Sequence, residues 1–529
     1  MLEQELKFSV PATFRKAVAA QFAAPPSSER VHLRAQYFDT PDRQLARRRA
    51  AIRLRLEGRK WVQTFKMAGA DAMSRVELNH PCPARRLDLS VYAGTPAESV
   101  LAGLDAELGV RYETDVWRSA KVVRTRAGAV EVAYDVGVIR AGGLELPVCE
   151  LEFELASGRP PALFTVAGRW LARHGLVLDL RSKAERGDGL ANAAARIEAA
   201  ALDQRPAVRE AEIARFWAPR LAERVELAAH ATPSEALAAM TAECIEQIAR
   251  NASPLAAAEA PSGVRLGGPE HVHQLRVGMR RLRSAWRLFE GAAELPPQPL
   301  QEAARKHFAN FGRVRDQDVM SGGVLPALLE AGMPPLQLDP PTGVDAGELA
   351  AAADFQAWLL ALLAWNVGVR EQPAASEPSV VRSGLAMPAT PAFTQEDAAP
   401  AKLTNVVTPR LRKWHTRLVR EGRHFGRLDD ERRHALRKLA KRLRYGLVLS
   451  GSLYRDERIR RYRKKLSALQ DILGEINDLV VARGHYAALT DAHGQAWFAL
   501  GWIAARMREL EAQAEAAFVD LAAVRKPWK

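Results

Sequence analysis

Hydrophobic and polar residues follow two different periods in this sequence. Up to about residue 155, apolar and polar residues alternate in short segments, which is typical of β-strands whose two faces differ. A short helix is predicted at residues 11–24, and a helical stretch between the fifth and sixth strands, through about residue 108. From about residue 186 onward, helical patterns replace the alternation. The eight predicted strands are residues 1–10, 31–39, 51–57, 61–67, 74–79, 114–126, 130–140 and 144–155.

The change of period predicts a multidomain α+β chain, as the length of 529 residues also favours. We place the boundary near residue 205. Residues 1–205 then form a β-rich domain with flanking helices, residues 206–224 a helical joint, and residues 225–529 an all-α domain. Residues 371–401 are rich in Pro, Ala and Ser, which predicts a mobile connector within the all-α domain.

Charged side chains repeatedly occupy one face of the predicted strands. In the first strand, Glu3, Glu5 and Lys7 share a face, because side chains alternate along a strand. Each such strand alone is compatible with a solvated surface. Together they favour one barrel with charge pointing inward, where carboxylates hold a divalent metal and basic groups bind phosphoryl oxygens. The other charged residues of these faces are Arg53, Arg55, Lys66, Arg75, Glu77, Glu150, Glu152 and Glu154.

The charge of the chain predicts an acidic partner. The formal net charge is +14, and residues 402–465 alone contain 22 Lys and Arg against 6 Asp and Glu. Nucleic acid, a membrane surface or polyphosphate would each satisfy this excess. The acidic start of the chain does not resemble a signal peptide, no apolar run is long enough to span a bilayer, and the three cysteines form no C-x-x-C pair. We therefore expect a cytoplasmic protein without a disulfide framework or a zinc site.

Two helical stretches, residues 273–283 and 434–444, resemble each other and indicate an internal repeat. At spacings of three and four residues, each stretch places a histidine and several basic residues on one helix face. Like charges at these spacings destabilise a helix, so the stripes favour a polyanion-binding surface over dispersed surface charge. Aromatic residues are sparse among the cations, which favours inorganic polyphosphate over nucleic acid. The candidate polyphosphate-binding residues, including two on neighbouring basic helices, are His273, Arg276, Arg280, Arg283, Arg417, His434, Arg437, Lys441, Arg444 and Lys464.

The motifs of the first 200 residues resemble those of the CYTH domain family, the triphosphate tunnel metalloenzymes. The opening Glu3-x-Glu5-x-Lys7 is similar to the family's ExExK signature. The motifs that follow in the family's order are Tyr37-Phe38-Asp39-Thr40, Ile52-Arg53-Leu54-Arg55, Lys66, Ser74-Arg75-Val76-Glu77, Asp135-x-Gly137, Glu150-x-Glu152-x-Glu154 and Ser182-Lys183. The resemblance implies an eight-stranded antiparallel β tunnel that hydrolyses or cyclises triphosphates with Mg²⁺ or Mn²⁺.

The same resemblance implies roles for individual residues. Glu3, Glu5 and Glu152 look like ligands of a metal that bridges to the substrate. A second group of carboxylates looks like candidate ligands of a second metal or candidates for positioning water. Glu154 completes the acidic strand and counts among the candidate ligands. In the stretch 118–126, which carries four basic residues, the choice of a phosphate-binding residue falls on Arg124, with Arg118, Lys121 and Arg126 as alternatives. The second carboxylate group is Glu77, Asp135 and Glu150, and the phosphate clamp is Lys7, Arg53, Arg55, Lys66, Arg124 and Lys183.

The helical repeats resemble the CHAD domain, a helical module of two similar halves whose basic, histidine-bearing helices bind polyphosphate. The resemblance covers about residue 225 to the last residue, and both halves match. It implies that His273 and His434 bind phosphate rather than metal, although a role in helix packing is the alternative. The chain thus resembles bacterial inorganic triphosphatases of the CYTH–CHAD type.

Taken together, these features predict metal-dependent hydrolysis of inorganic triphosphate to pyrophosphate and phosphate in a charged tunnel, beside a domain that binds polyphosphate. Adenylate cyclase activity, thiamine-triphosphatase activity and a polyphosphate-binding protein without catalysis are the alternatives. Neither a specific nucleic acid nor a membrane is expected as a partner. Association with polyphosphate granules in the cytoplasm would follow from the binding of polyphosphate.

Overall fold

The computed structural model describes residues 2–23, 30–69, 73–228, 230–257, 266–319, 324–336, 345–371 and 402–528. The predicted connector at 371–401 lies outside the described residues except for residue 371. The chain forms two compact units. The first unit comprises Met1–Leu221, Glu246–Leu275 and Asp345–Ala364, and the second comprises Ala222–Ile245, Arg276–Val344 and Trp365–Lys529.

The first unit contains a closed antiparallel β-barrel of eight strands, as predicted. Strand order around the sheet is β5-β4-β3-β2-β6-β7-β8-β1, and pairing of β1 with β5 closes the barrel. A two-residue strand, β9 (Val177–Leu178), pairs with the end of β1 outside the ring. The eight barrel strands are β1 (Leu2–Ser9), β2 (Val31–Asp39), β3 (Ala50–Glu57), β4 (Lys60–Ala68), β5 (Ser74–Pro81), β6 (Gly109–Thr125), β7 (Gly128–Ala141) and β8 (Leu144–Gly158).

Sixteen α-helices are described, six of them in the first 221 residues. These six are α1 (Arg15–Ala20), α2 (Gln44–Arg47), α3 (Glu98–Ala102), α4 (Pro161–His174), α5 (Lys183–Ala199) and α6 (Arg205–Phe216). The other ten are α7 (Pro233–Ala256), α8 (Pro269–Phe289), α9 (Gln298–Val319), α10 (Leu325–Glu330), α11 (Ala346–Ala351), α12 (Ala353–Glu371), α13 (Leu403–Gly422), α14 (Asp430–Leu449), α15 (Asp456–Ala487) and α16 (Gln495–Ala523).

Much of the barrel's hydrophobic core lies outside the ring of strands, while a further apolar cluster packs on the inward strand faces and includes Tyr37, Tyr112, Ile139 and Val148. The apolar face of β1 points outward, where Phe8 is fully buried and packs edge-on against Phe153 of β8 with the ring centroids 5.6 Å apart. Trp170 of α4 covers Phe153 from the other side, at 6.1 Å. On another outer face, Ile52 and Phe65 are buried beneath the segment that contains α3. This arrangement leaves the charged faces of the strands for the interior, as the alternation predicted.

The predicted helical stretch between β5 and β6 is the main local error of the sequence reading. The structure has only a 3₁₀ turn at Leu89–Tyr92 and the five-residue α3. Pro96 and Gly94 interrupt the segment, and Gly94 adopts a φ of 72° that a helix does not tolerate. The segment nevertheless buries Tyr92 and Leu101 against the barrel, so its apolar residues serve the core without a long helix.

The second unit is helical, with α14, α15 and α16 packed in sequence. Leu436, Leu439 and Leu443 bury the apolar face of α14, as the helical period predicted. Arg281 of α8 is fully buried, and it forms an ion pair with Glu243 and donates to the carbonyl oxygen of Glu223 at 2.8 Å. A buried arginine of this kind fixes neighbouring segments instead of presenting charge to solvent. Among the described helices, none combines the length and the apolar composition that crossing a bilayer would need.

Glycine at position 137 is expected to be required for the pairing of β6 with β7. A Cβ atom there would collide with the backbone of Asp115 and Val116 on the neighbouring strand. Overpacking of this kind costs about 1–3 kcal/mol. We therefore expect Gly137→Ala to lower the thermal stability of the first unit, measured by the near-UV circular dichroism of the barrel aromatics. Gly109→Ala is the control because a Cβ atom at Gly109 meets no heavy atom within 4 Å. Equal melting temperatures for the two variants would contradict the prediction.

Candidate functional site

The closure of the barrel brings four charged residues from distant segments into one ion-pair cluster. β1 pairs with β5 so that Glu3 lies opposite Arg75, which places Glu3 beside Glu77. The ammonium group of Lys66 lies 3.3 Å from a Glu3 oxygen and also forms an ion pair with Glu77. Arg53 Nη2 lies 3.7 Å from Glu77 Oε1. We refer to Glu3, Arg53, Lys66 and Glu77 as the entry-strand cluster.

The two carboxyl groups of the entry-strand cluster titrate in opposite directions. Burial, followed by a hydrogen bond with Glu77, raises the pKa of Glu3 to about 8. Burial also acts to raise the pKa of Glu77, but the Lys66 ammonium, the Glu3 hydrogen bond and the Arg53 guanidinium outweigh it and lower that pKa to about 2. At neutral pH, Glu3 therefore carries a proton that it donates to the Glu77 carboxylate. Two adjacent carboxyl groups that share one proton, with pKa values shifted in opposite directions, are typical of functional sites.

A second ion-pair cluster joins β6, β7, β8 and the start of α5. Asp135, only 1% exposed, accepts two hydrogen bonds of 2.7 Å from the Arg118 guanidinium and one of 2.6 Å from Lys183. Lys183 also lies 2.5 Å from Glu150 and 2.8 Å from Glu152, and Arg118 pairs with Glu152. We refer to Arg118, Asp135, Glu150, Glu152 and Lys183 as the carboxylate cluster.

The pKa shifts in the carboxylate cluster follow these pairs. Burial opposes ionisation of Glu152 and Asp135, yet Lys183 and Arg118 hold the pKa of each carboxyl group below its usual value. Burial likewise opposes the charge on Lys183, but Asp135 and the two glutamates raise the pKa of its ammonium group. Arg118, Asp135, Glu152 and Lys183 are therefore charged at neutral pH.

The first turn of α5 supplies this cluster with basic groups in an unusual position. Ser182 caps the helix by accepting from the Glu185 N–H at 3.1 Å, so Lys183 is the first helical residue. A cation at a helix N-terminus is unfavourable because the helix dipole is positive there. The three carboxylates that face Lys183 compensate for this cost. Arg186, one turn further on, is 8% exposed and pairs with Glu150. Sequence reasoning missed Arg186, although its spacing of three residues from Lys183 places both on one face.

The carboxylate cluster fits a hard divalent cation. Three carboxylate oxygens, one from each of Asp135, Glu150 and Glu152, all lie within 4.8 Å of one another. Carboxylate oxygens are the ligands that Mg²⁺ and Mn²⁺ prefer. The division of ligands differs from the sequence-based one, because the structure groups Glu152 with Asp135 and Glu150 while Glu3 lies with Glu77. Glu5 lies opposite Glu154 in the pairing of β1 with β8, and burial raises the pKa of Glu154.

The remaining predicted clamp residues occupy different environments. Lys7 is 9% exposed and its ammonium group donates to the carbonyl oxygen of Arg181; burial lowers its pKa. Arg55 donates to Glu57 at 2.6 Å, and burial together with the neighbouring Arg53 lowers its pKa to about 10. Arg124 is exposed and lies next to the β6–β7 turn, opposite Ala129. The structure therefore brings Arg118, and not Arg124, to the carboxylates.

Tyr37 is a further tunnel residue that the sequence analysis quoted only as part of a motif. Its hydroxyl group accepts a hydrogen bond of 3.1 Å from Arg53, and its ring stacks on Tyr112 at 4.6 Å. Although burial acts to raise the pKa of this hydroxyl, Arg53 and Arg55 lower it. Tyr37 therefore holds the Arg53 guanidinium through Nη1, while Nη2 faces Glu77. The signal for Tyr37 in the sequence was its place in the motif Tyr37-Phe38-Asp39-Thr40.

The basic stripes of the helical repeats lie on α8 and α14, and all of their candidate residues except His273 belong to the second unit. Lys441 is half-buried among positive groups: Arg280 of α8, and Arg437 and Arg444 of its own helix. Asp478 of α15 is the acidic group that faces it, and it also lies 3.9 Å from Arg437. Burial and the adjacent guanidinium groups lower the pKa of Lys441 to about 6. Burial and the neighbouring positive groups thus both disfavour the charged form of Lys441.

Other predicted residues of the stripes have local partners. Arg276 donates to the carbonyl oxygen of Phe308 at 2.8 Å, and the guanidinium groups of Arg276 and Arg283 both lie over the Phe308 ring. His434 Nδ1 lies 2.9 Å from Asn477 Oδ1, and burial lowers its pKa. Arg417 pairs with Glu421 at 2.8 Å, and Lys464 is exposed. His273 lies in the part of α8 that belongs to the first unit.

Two family models match the chain. The CYTH domain model matches residues 1–187, and the CHAD domain model matches residues 247–487. A curated relative, the inorganic triphosphatase of Haemophilus influenzae, is 32% identical over 161 residues, which are 28% of this chain and 44% of that protein. The match thus spans less than half the length of this relative.

Solved structures also resemble parts of the chain. The CHAD domain of the plant Ricinus communis is 28% identical, with a TM-score of 0.41, and the match covers 59% of this chain and 98% of that one. A provisionally named adenylyl cyclase from Hippeastrum, described as having a dominant triphosphatase activity, is 15% identical with a TM-score of 0.25. That match covers 35% of this chain and 95% of the other.

Loss of Arg118 is expected to destabilise the barrel far more than loss of Arg124. Arg118→Ala leaves the buried Asp135 carboxylate with one basic partner fewer, and removing one member of a buried ion pair costs about 3 kcal/mol. Arg124→Ala, on the same strand and face but exposed, is expected to change stability by about 0.5 kcal/mol or less. Urea unfolding followed by tryptophan fluorescence would measure both. Equal unfolding midpoints would contradict the assignment of Arg118 to the cluster.

Proposed function

Because the chain combines a CYTH domain with a CHAD domain, we propose that it hydrolyses inorganic triphosphate in the barrel and binds inorganic polyphosphate through its basic helices. The observation that carries the first part is the carboxylate cluster. Asp135, Glu150 and Glu152 form an acidic ligand set directly beside Arg118 and Lys183, which suit phosphate oxygens. Simple binding of an anion would require the basic groups without the carboxylates.

The proposed reaction is metal-dependent. Asp135, Glu150 and Glu152 would hold Mg²⁺ or Mn²⁺, with Glu3 and Glu5 of β1 as further candidates, and the ion would polarise phosphoryl oxygens and stabilise their charge. Lys183 and Arg118 would bind the phosphate oxygens and neutralise the charge that develops during P–O cleavage. Arg53 and Lys66 of the entry-strand cluster would bind the next phosphoryl group along the tunnel. Water would attack a terminal phosphoryl group and release phosphate and pyrophosphate.

The ion pairs of the tunnel would exchange partners when substrate binds. Each basic residue of the two clusters contacts at least one carboxylate, so the carboxylates hold the basic side chains inside the barrel. A triphosphate with its divalent cation supplies a negative partner for the bases and a positive partner for the carboxylates. Total charge pairing is thereby conserved, and the side chains need little reorganisation. Such preorganisation is the main source of electrostatic catalysis.

The second part of the proposal rests on the concentration of positive charge on α8 and α14. Arg280, Arg437 and Arg444 surround Lys441, and Arg283 is near Arg305, Arg287 and Arg442. A long flexible polyanion could contact these groups successively along both helices. Within the described helices α8 and α14, the aromatic residues Trp286, Phe289 and Tyr445 are buried, so none of these rings is exposed to stack on bases. Inorganic polyphosphate therefore suits this surface better than nucleic acid.

Release of phosphate from inorganic triphosphate, measured with Mg²⁺ or Mn²⁺, tests the proposed reaction. We expect activity that requires the metal and that falls by about 100-fold or more in Glu152→Gln and in Glu5→Ala, because each removes a negative charge from the tunnel. Glu145→Ala is the control, since Glu145 is an exposed glutamate of the same strand as Glu152. ATP and long polyphosphate are assayed in parallel, with product analysis for cyclic AMP. Phosphate release unaffected by Glu152→Gln, or none from triphosphate, would overturn the proposed reaction.

The affinity for polyphosphate is expected to decrease as pH rises from 6 to 8. The lowered pKa of Lys441, about 6, leaves this lysine mainly neutral at pH 8, so an anion that prefers the charged form must bind together with a proton. Below pH 6 the lysine is already charged and the dependence disappears. We expect a change of about tenfold in the dissociation constant between pH 6 and pH 8. Lys441→Arg, which stays charged throughout, should flatten the profile, as fluorescence anisotropy with labelled polyphosphate would show. An unchanged profile in this variant would contradict the assignment.

A further inference from the structure

One short segment of the first unit holds several basic groups of the tunnel at once. This segment, residues 177–186, comprises β9, a turn and the first turn of α5, and we call it the anchor segment. It carries Lys183 and Arg186, which contact the tunnel carboxylates. It also fixes Lys7, because the carbonyl oxygen of Arg181 accepts from the Lys7 ammonium group and the N–H of Asp179 donates to the Lys7 carbonyl oxygen at 3.0 Å.

The outer side of the anchor segment is held by residues that lie far along the chain. Arg250 of α7 binds Glu185 through two hydrogen bonds, one of them 2.9 Å between Nη2 and Oε2, and lies 2.9 Å from Glu246 of its own helix. Gln356 of α12 is 1% exposed, and its side-chain oxygen accepts from the Leu178 N–H at 2.9 Å. Gln356 also donates to the carbonyl oxygen of Ala350 at 2.6 Å, which fixes its orientation.

A third contact acts through an aromatic ring. His271 of α8 lies 2.8 Å from the carbonyl oxygen of Trp217, and the Arg181 guanidinium lies over the Trp217 ring at 4.5 Å from its centroid. Arg181 thus contacts Trp217 through its side chain and Lys7 through its carbonyl oxygen. Arg250, His271 and Gln356 all fall within the residues that the CHAD model matches, and all belong to the same compact unit as the barrel.

We infer that Arg250, supported by Gln356 and His271, is a positioning residue for phosphate binding in the tunnel. Arg250 does not touch the tunnel carboxylates. It orients the first turn of α5, because its guanidinium group binds both carboxylate oxygens of Glu185. This turn carries Lys183, and Arg186 follows it three residues later on the same helix face. The bidentate geometry matters because a guanidinium group that binds both oxygens of a carboxylate fixes direction as well as distance. The tunnel of this chain is therefore completed by residues of its CHAD match. This inference rests on the proposed function of the tunnel.

The contact is separable from general stability. Glu185 is 46% exposed on its side chain, so Glu185→Gln leaves no buried cavity and keeps the N-cap of α5, which uses only its backbone N–H. If the pair acts by orienting Lys183, then Glu185→Gln and Arg250→Ala should each raise KM for triphosphate about tenfold or more, as loss of supporting partners does at other charged sites. The double variant should be no worse than either single variant, because both remove one interaction.

The test combines turnover with binding of inorganic triphosphate measured calorimetrically in the presence of EDTA, using full-length protein. We expect both variants to weaken triphosphate binding about tenfold while the melting temperature and the affinity for polyphosphate stay unchanged. Arg209 is an exposed arginine of α6, and Arg209→Ala is the control that should alter neither the turnover nor the binding of triphosphate.

Tight triphosphate binding without any turnover in the wild type would refute the proposed function while still testing this inference. Wild-type affinity for triphosphate in both variants, or effects that add in the double variant, would overturn the inference. A wild type that neither binds nor hydrolyses triphosphate would overturn both.

Discussion

Charge pairing inside a closed ring of strands is the constraint on which the rest of this structure depends. Acidic and basic side chains point into the barrel, and a buried charge is costly unless it is paired. The structure meets this requirement by pairing Glu77 with Lys66 and Arg53, and by pairing the carboxylates of the carboxylate cluster with Arg118 and Lys183. Much of the hydrophobic core lies outside the ring, where Phe8 and Phe153 pack under α4.

This pairing links stability to the proposed activity. A carboxylate that binds a metal and a guanidinium that binds phosphate are needed at the same place, and each neutralises the other within the barrel. The cost is that removal of one partner affects both folding and function. The effects of substitutions in the two clusters should therefore be interpreted with stability measured alongside activity. The Arg250–Glu185 pair is a favourable case, because it lies outside the tunnel and on a partly exposed surface.

The sequence predicted the strands and their charged faces but not the depth of each residue in the barrel. A period of two residues assigns a side chain to a face, and Arg118 and Arg124 share that face. Only the length of β6, which continues to Thr125 at the far turn, places Arg124 outside the cluster. The proximity of Glu3 to Glu77 depends on barrel closure between segments more than 70 residues apart, which no local pattern encodes. The contacts of Arg250, His271 and Gln356 are equally non-local. The helical repeats were predicted correctly as helices because their apolar period is strong over several turns.

The most direct measurement is a crystal structure of the protein with a slowly hydrolysed triphosphate analogue and Mn²⁺, located by its anomalous scattering. Exchange of ion-pair partners predicts Mn²⁺ within about 2.3 Å of oxygens from at least two of Asp135, Glu150 and Glu152. It also predicts phosphate oxygens within hydrogen-bonding distance of Arg118 and Lys183, and of Arg53 or Lys66. An analogue bound elsewhere, with the pairs between Lys183 and the carboxylates intact, would contradict the account of the tunnel as the site of triphosphate hydrolysis.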